Sequence, residues 1–206
     1  MFWFKTENLN LINRLDVKLS TNNIFMVIER KDSELIENFL KGDQSSFKEI
    51  VERYKDKIYW HARRMTGNHL DADEIVQEVL IVIFKKLKDF RFQSSLYTWI
   101  YKITSTRSLN LIKKRNIKRF FSIDDDEHKE IKYGEDIVSN IENKEKLVQL
   151  DGVLKKLPVK QREIFILRHF EQLSYEEISK ITGKSLGGLK ANYFHALNKV
   201  LDEMSE

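Results

Sequence analysis

The chain has 206 residues, with 36 Lys+Arg against 32 Asp+Glu and a formal net charge of +4. One proline and seven glycines are too few for a turn-rich sandwich or barrel, so an all-α fold is expected. The absence of cysteine excludes a disulfide framework, a thiolate zinc site and a cysteine nucleophile, and a hydrophobic content of 41% excludes wholesale disorder.

Residues 1–27 read as an N-terminal extension. Met1-Phe-Trp-Phe4 is apolar, but Lys5 and Glu7 break it before a secretory segment can form, and Met26 is a second candidate start. No apolar run approaches the roughly 20 residues of a bilayer span. The longest, Val79–Phe84, has six. Ser33 is expected to cap a short helix carrying Leu35, Ile36, Phe39 and Leu40, which Gly42 ends. Ser45 or Ser46 then opens a longer helix with Phe47, Ile50, Val51, Tyr54, Ile58, Ala62 and Met65 near a helical period, stopped by Gly67. Asp71 starts a third, Ala72–Leu87, with Asp73 and Glu74 where the macrodipole favours anions. Ile75, Val76, Val79, Leu80, Ile83, Phe84 and Leu87 form its predicted buried stripe. A loop rich in Phe and Arg follows, and Ser94 or Ser95 caps a fourth helix that runs into a basic block.

Charge then marks a boundary. Residues 101–121 hold seven basic and no acidic groups (+7), whereas residues 122–145 hold three basic and nine acidic (−6). The second stretch is short of large apolar side chains and reads as an exposed acidic linker. Two small helical domains, 28–121 and 146–206, therefore flank a linker at 122–145. In the second domain Pro158 suits the first turn of a helix continued by Gln161–Phe170. Ser174-Tyr-Glu-Glu177 matches a capping box, Gly183 ends that helix, and Ser185 caps the next. Two short helices so joined make a helix-turn-helix pattern, whose second helix would present Gly188, Lys190, Ala191, Asn192 and His195 to DNA.

The order of these motifs resembles the extracytoplasmic-function group of sigma factors. The matching stretches are Asp71-Ala-Asp-Glu-Ile-Val-Gln-Glu78, Phe90-Arg-Phe-Gln-Ser-Ser-Leu-Tyr-Thr-Trp-Ile-Tyr-Lys-Ile103 and Leu157-Pro-Val-Lys-Gln-Arg-Glu163. Leu167-Arg168, Leu173-Ser-Tyr-Glu-Glu-Ile-Ser179 and Gly183-Lys-Ser-Leu-Gly-Gly-Leu-Lys190 follow in order. The resemblance spans about residues 33–204. It implies a cytoplasmic, non-enzymatic factor that binds core RNA polymerase and directs it to promoter DNA. The first domain would meet the polymerase and melt the −10 element, the second would read the −35 element as duplex, and the linker would thread toward the active centre. An anti-sigma factor is a candidate further partner. No cofactor, metal, catalytic residue, small-molecule substrate or membrane embedding is implied.

Under that resemblance Asp71, Asp73, Glu74, Gln77 and Glu78 would face the polymerase, where carboxylates complement basic partners. Helix N-terminal stabilisation is the plainer role for them. A divalent-metal site on Asp71, Glu74 and Glu78 lacks further ligands. Arg91, Phe92, Tyr97, Tyr101, Lys102, Thr106, Arg107, Asn110, Lys113, Lys114 and Arg115 would hold unstacked DNA, since rings stack on bases and cations track phosphates; Trp99 is expected in the core. Ser185, Gly188, Lys190, Ala191, Asn192 and His195 would meet the duplex. The family usually carries asparagine near 106 and aspartate near 110, where this chain has Thr106 and Asn110. Asn192 and His195 stand where its arginines are frequent, which should flatten the salt dependence of binding. The acidic run Asp124–Glu127 could mimic nucleic acid inside a basic channel. Two other readings compete. One is a stand-alone helix-turn-helix regulator. The other is a nucleic-acid enzyme built on the Asp71–Glu78 carboxylates, which lacks a nucleophile–base pair.

Overall fold

Most helices begin where a short polar side chain can accept a free backbone N–H. The computed structural model describes residues 30–121 and 141–204, with the backbone alone at 119 and 141–148. The extension 1–27 and the acidic run Asp124–Glu127 lie outside these described residues. Helix α1, Asp32–Leu40, follows Lys31, so Ser33 sits inside its first turn instead of capping it. Helix α2, Gln44–Thr66, is capped by Asp43, whose Oδ1 accepts the Ser45 amide at 2.9 Å. Ser45 and Ser46, the expected caps, donate their hydroxyls to the same carboxylate and, with that amide, hold its pKa down at about 2. Helix α3, His69–Lys86, begins earlier than predicted because Asn68 accepts the Asp71 amide at 3.1 Å. After a 3-10 turn at Leu87–Asp89, helix α4 covers Leu96–Phe121, with Ser95 Oγ accepting the Thr98 amide at 3.1 Å.

Helix α5, Ile141–Lys156, enters the last residues of the stretch assigned to the linker. Pro158 precedes helix α6, Val159–Phe165, and the continuous helix expected to Phe170 instead widens into a π turn at Ile166–Phe170. Helix α7, Tyr175–Thr182, opens on the full Ser174–Glu177 capping box and ends at Gly183, whose φ of +71° favours a residue without a Cβ. Helix α8, Leu186–Glu203, is capped by Ser185, so both halves of the helix-turn-helix stand where the motif put them.

Helices α1–α4 enclose one core built on Leu35, Ile36, Ile50, Ile58, Ile75, Ile83 and Ile100. In the C-terminal domain α5, α6 and α8 share Leu150, Leu154, Phe165 and Val200. A third cluster, Ile164, Leu167, Ile178 and Leu189, also takes in Tyr101 from the N-terminal domain. The domains are thus packed together, α2 against α5, α6 and the π turn, and α4 against α7. No helix among the described residues is long and apolar enough to cross a membrane.

Candidate nucleic-acid interface

The acidic set on α3 divides in two. Asp71 is buried and pairs with Arg115 Nη2, tying the start of α3 to the far end of α4. Burial raises its pKa, and Arg115 draws it partly back. Asp71 is thus turned inward, whereas Arg115 keeps half of its side chain open to solvent. Asp73 is half-buried and lies 3.2 Å from His69 Nε2. Glu74, Gln77 and Glu78 are exposed on the outer face, with Arg107 Nη1 3.3 Å from Glu78. Leu70, Ile81 and Phe84 add exposed apolar surface to this helix. Phe84, expected in the buried stripe, instead leans on the rings of Phe39 and Phe47 at 5.5 and 5.1 Å. Among the described residues no acidic or histidine group is placed to hold a metal ion.

The loop before α4 projects Arg91 and Phe92 into solvent. Phe92 has a φ of +54°, a conformation that non-glycine residues rarely adopt, and its ring contacts Phe90 at 5.0 Å. Phe90 in turn rests on Trp99 at 5.3 Å, which anchors the loop to the core as expected for Trp99. Along α4, Lys102, Thr106, Asn110, Lys113 and Lys114 are exposed and Arg107 is half-buried, while Thr106 donates its hydroxyl to the Lys102 carbonyl at 2.7 Å. Tyr97 and Tyr101 stand apart from this set. Tyr97 is half-buried, and Tyr101, only 1% exposed, is covered by the C-terminal domain, so neither faces solvent as an open DNA contact.

On the helix-turn-helix, Lys190, Ala191 and His195 are exposed at the surface of α8, and the Lys190 ammonium lies 5.9 Å from the Tyr175 ring. Ser185 is occupied as the cap, accepting the Gly188 amide at 3.3 Å. Asn192 is half-buried and donates its amide to the Gly188 carbonyl at 2.7 Å, so its polar end is turned to its own helix. A Cβ at Gly188 would come within 3.2 Å of Ser185 Oγ, which accounts for a small residue there. Phe194, 60% exposed, is an apolar member of this surface outside the expected periodic set, and Leu186, which the period groups with Leu189, Tyr193, Ala196 and Val200, is exposed as well. The helical period alone could have found Phe194, two turns from Gly187 and off the buried stripe.

The joint between the domains is the feature no motif announced. Arg162 donates to the carbonyls of Met65 at 2.6 Å, Lys155 at 2.8 Å and Leu157 at 3.2 Å. Arg63 Nη2 lies 2.9 Å from Asp151. The Lys155 side chain lies where a Cβ at Gly67 would be, and the φ of +68° there favours glycine. Glu171, directly after the π turn, reaches Tyr97, Tyr101, His61 and Arg64. Burial alone would raise its pKa, but His61, Arg64 and Tyr101 together bring it below the ordinary glutamate value.

Comparison with known proteins shows the family. Residues 50–117 match the Sigma-70 region 2 family and residues 147–200 match Sigma-70, region 4. The chain is 31% identical over 172 residues to the ECF RNA polymerase sigma-E factor of Escherichia coli (strain K12), covering 80% of this chain and 90% of that one. It is 28% identical over 179 residues to the ECF RNA polymerase sigma factor SigW of Bacillus subtilis, covering 82% and 96%. It is also 28% identical over 178 residues to the RNA polymerase sigma-H factor of Pseudomonas aeruginosa, covering 83% and 92%. Two solved structures share the fold. CnrH in complex with the cytosolic domain of CnrY superposes with a TM-score of 0.63 at 20% identity, covering 84% of this chain and 97% of that one. The sigma factor RpoE in complex with the anti-sigma factor NepR from Bartonella quintana superposes at 0.61 and 22% identity, covering 77% and 96%.

Proposed function

The chain belongs to the extracytoplasmic-function group of sigma-70 family factors, and from that premise we propose that it binds core RNA polymerase and selects promoters through both of its domains. The observation that carries the DNA half of this reading is on α4. From residue 101 to 121 the helix has no acidic residue, and it exposes Lys102, Thr106, Asn110, Lys113 and Lys114 beside the strained loop of Arg91 and Phe92. Such a surface suits a strand whose bases are unstacked, with cations along the phosphates and a ring ready for a base. Lys190, Ala191 and His195 of α8 suit the −35 duplex. Glu74, Gln77 and Glu78 suit a basic surface of the polymerase, with Ile81 and Phe84 as apolar neighbours. Since RpoE of Bartonella quintana is bound by an anti-sigma factor, this chain is assigned a partner of that kind as well.

Run-off transcription with purified core polymerase and a promoter library tests the proposal. Promoter-specific starts that depend on the chain are expected. Failure to support any such start would sink it, and tight duplex binding by the isolated chain would favour a stand-alone regulator.

A further inference from the structure

Four side chains of the N-terminal domain converge on one carboxylate of the C-terminal domain. The Glu171 side chain is 9% exposed. The Tyr101 hydroxyl donates to its Oε2, and the Tyr97 hydroxyl lies 3.3 Å from the same atom. Its Oε1 is 3.8 Å from both His61 Nδ1 and Arg64 Nη1. Ser105 Oγ fixes the other side of the imidazole, 2.9 Å from Nε2, and the Arg64 guanidinium is braced over the Phe170 ring at 4.1 Å. Lys57 adds a cation 5.2 Å from the Tyr97 ring.

The fit to a carboxylate is incomplete. His61 Nδ1 and Glu171 Oε1 are both buried without a hydrogen-bond partner, although they face each other. A backbone phosphate also carries two charged oxygens, but on a larger, tetrahedral centre, so it can engage donors that a planar carboxylate leaves apart. Beside the pocket the rings of Tyr97 and Tyr101 are 4.4 Å apart, and apolar Ile164, Leu167 and Ile178 cover Tyr101 in the closed chain. With the C-terminal domain removed, these rings would offer an apolar surface next to an anion site. That pairing matches one nucleotide of an unpaired strand, whereas a duplex keeps its bases inside.

We propose that His61, Arg64, Tyr97 and Tyr101 form a pocket for a backbone phosphate of single-stranded DNA, and that Glu171 fills it in the closed chain as a stand-in for that phosphate. Strand binding and domain closure then exclude each other: the chain shields its own melting surface until the C-terminal domain swings away. The choice of DNA as the source of the phosphate rests on the sigma-factor reading.

The test uses the full chain and a short fluorescein-labelled oligothymidine strand. The chain lacks cysteine, so cysteines introduced at Lys41 and Lys180 can carry a dye pair that reports domain separation. Glu171→Gln should separate the domains and tighten strand binding on the order of tenfold, because closure hides the competent form. Glu171→Asp, with a shorter reach, should shift both in the same direction by less, and serves if the first variant does not fold. Arg64→Ala should separate the domains with no gain in affinity, since the anion's cation is gone. Equal affinity of Glu171→Gln and the parent chain would overturn the pocket, as would a gain that persists in Glu171→Gln/Arg64→Ala. An equal gain for duplex, or displacement of the strand by inorganic phosphate alone, would overturn the assignment to a single strand. Run-off initiation by the unaltered chain judges the sigma-factor reading separately. Success there with no gain from Glu171→Gln condemns only the pocket; the reverse condemns only the sigma-factor role.

Discussion

The interior of the N-terminal domain and the joint between the domains are both buried, yet they are held by different chemistry. Inside α1–α4 the contacts are aliphatic, with Leu35, Ile50, Ile58 and Ile83 fully enclosed. At the joint one apolar patch, Tyr101 against Ile164, Leu167 and Ile178, is ringed by polar contacts: the Arg162 bond to the Met65 carbonyl, the Arg63–Asp151 pair and the donors around Glu171. Apolar surface gains nothing from water, so the interior opens only by unfolding. Charged groups recover hydration when they part, which offsets much of what their pairing contributed. A domain surface of that kind can separate while each domain stays folded.

Substitutions on the two sides should therefore fail differently. The largest effect is expected in the interior, where Ile58→Ala leaves a cavity and should cost about 3–5 kcal/mol in urea unfolding. Unfolding without such a loss would mean that the four-helix core is not the stable unit. His169 comes next, and it sharpens the contrast through pH. Burial, then the nearby Arg64, depresses its pKa to about 4, well below the ordinary histidine range. A histidine kept neutral by the fold contributes stability in full above its unfolded pKa, and that contribution fades as pH falls toward the folded one. His169→Phe, keeping the stacking on Phe165, should narrow the stability gap between neutral pH and about pH 4 by up to about 3 kcal/mol. An unchanged gap would show that the ring is hydrated. Arg162→Ala should weaken the joint by about 2 kcal/mol, leaving carbonyls unpaired, and dye separation should register it before any loss of helicity. Simultaneous loss of both would mean that the joint and the interior are one cooperative unit. The smallest effect is local to the helix-turn-helix. Ser174→Ala removes one capping partner and should lower C-terminal domain stability by about 1 kcal/mol while the N-terminal domain melts as before.

Helix existence was legible because the apolar period of α2, α3 and α8 is long and regular. Boundaries were less so. Ser45, Ser46 and Asp71 looked like helix starts, but Asp43 and Asn68 have the same capacity and directly follow Gly42 and Gly67; the helix assigned to Ser33 begins after Lys31 with no side-chain cap. Helix α5 was missed because its opening Ile141-Glu-Asn-Lys-Glu-Lys146 is as rich in charge as the stretch before it, and the apolar residues known to be buried, Leu150, Val153 and Leu154, come late. Phe84 fitted the α3 stripe by period, yet the aromatic cluster it joins lies at the rim. The helix-turn-helix, carried by short-range capping signals, read correctly at both ends. The joint was invisible for a physical reason: Arg63, Arg64, Arg162 and Glu171 are residue types that solvate by default, and only contacts from another domain bury them. The same contacts removed Tyr101 from the exposed face, where its spacing had put it.

The π turn at Ile166–Phe170 has a consequence in the currency of chain length. The Glu171 amide donates to the Ile166 carbonyl at 3.2 Å, one residue beyond the reach of an α-helical bond. That extra residue sets the phase of everything that follows. Deleting one position within the turn would let the α-helix run on and rotate Glu171 by about 100° around the axis, carrying its carboxylate off the tyrosines. The chain's ability to close is then stored in a single-residue insertion, a property that a gap in an alignment would record and that no side-chain substitution could reproduce.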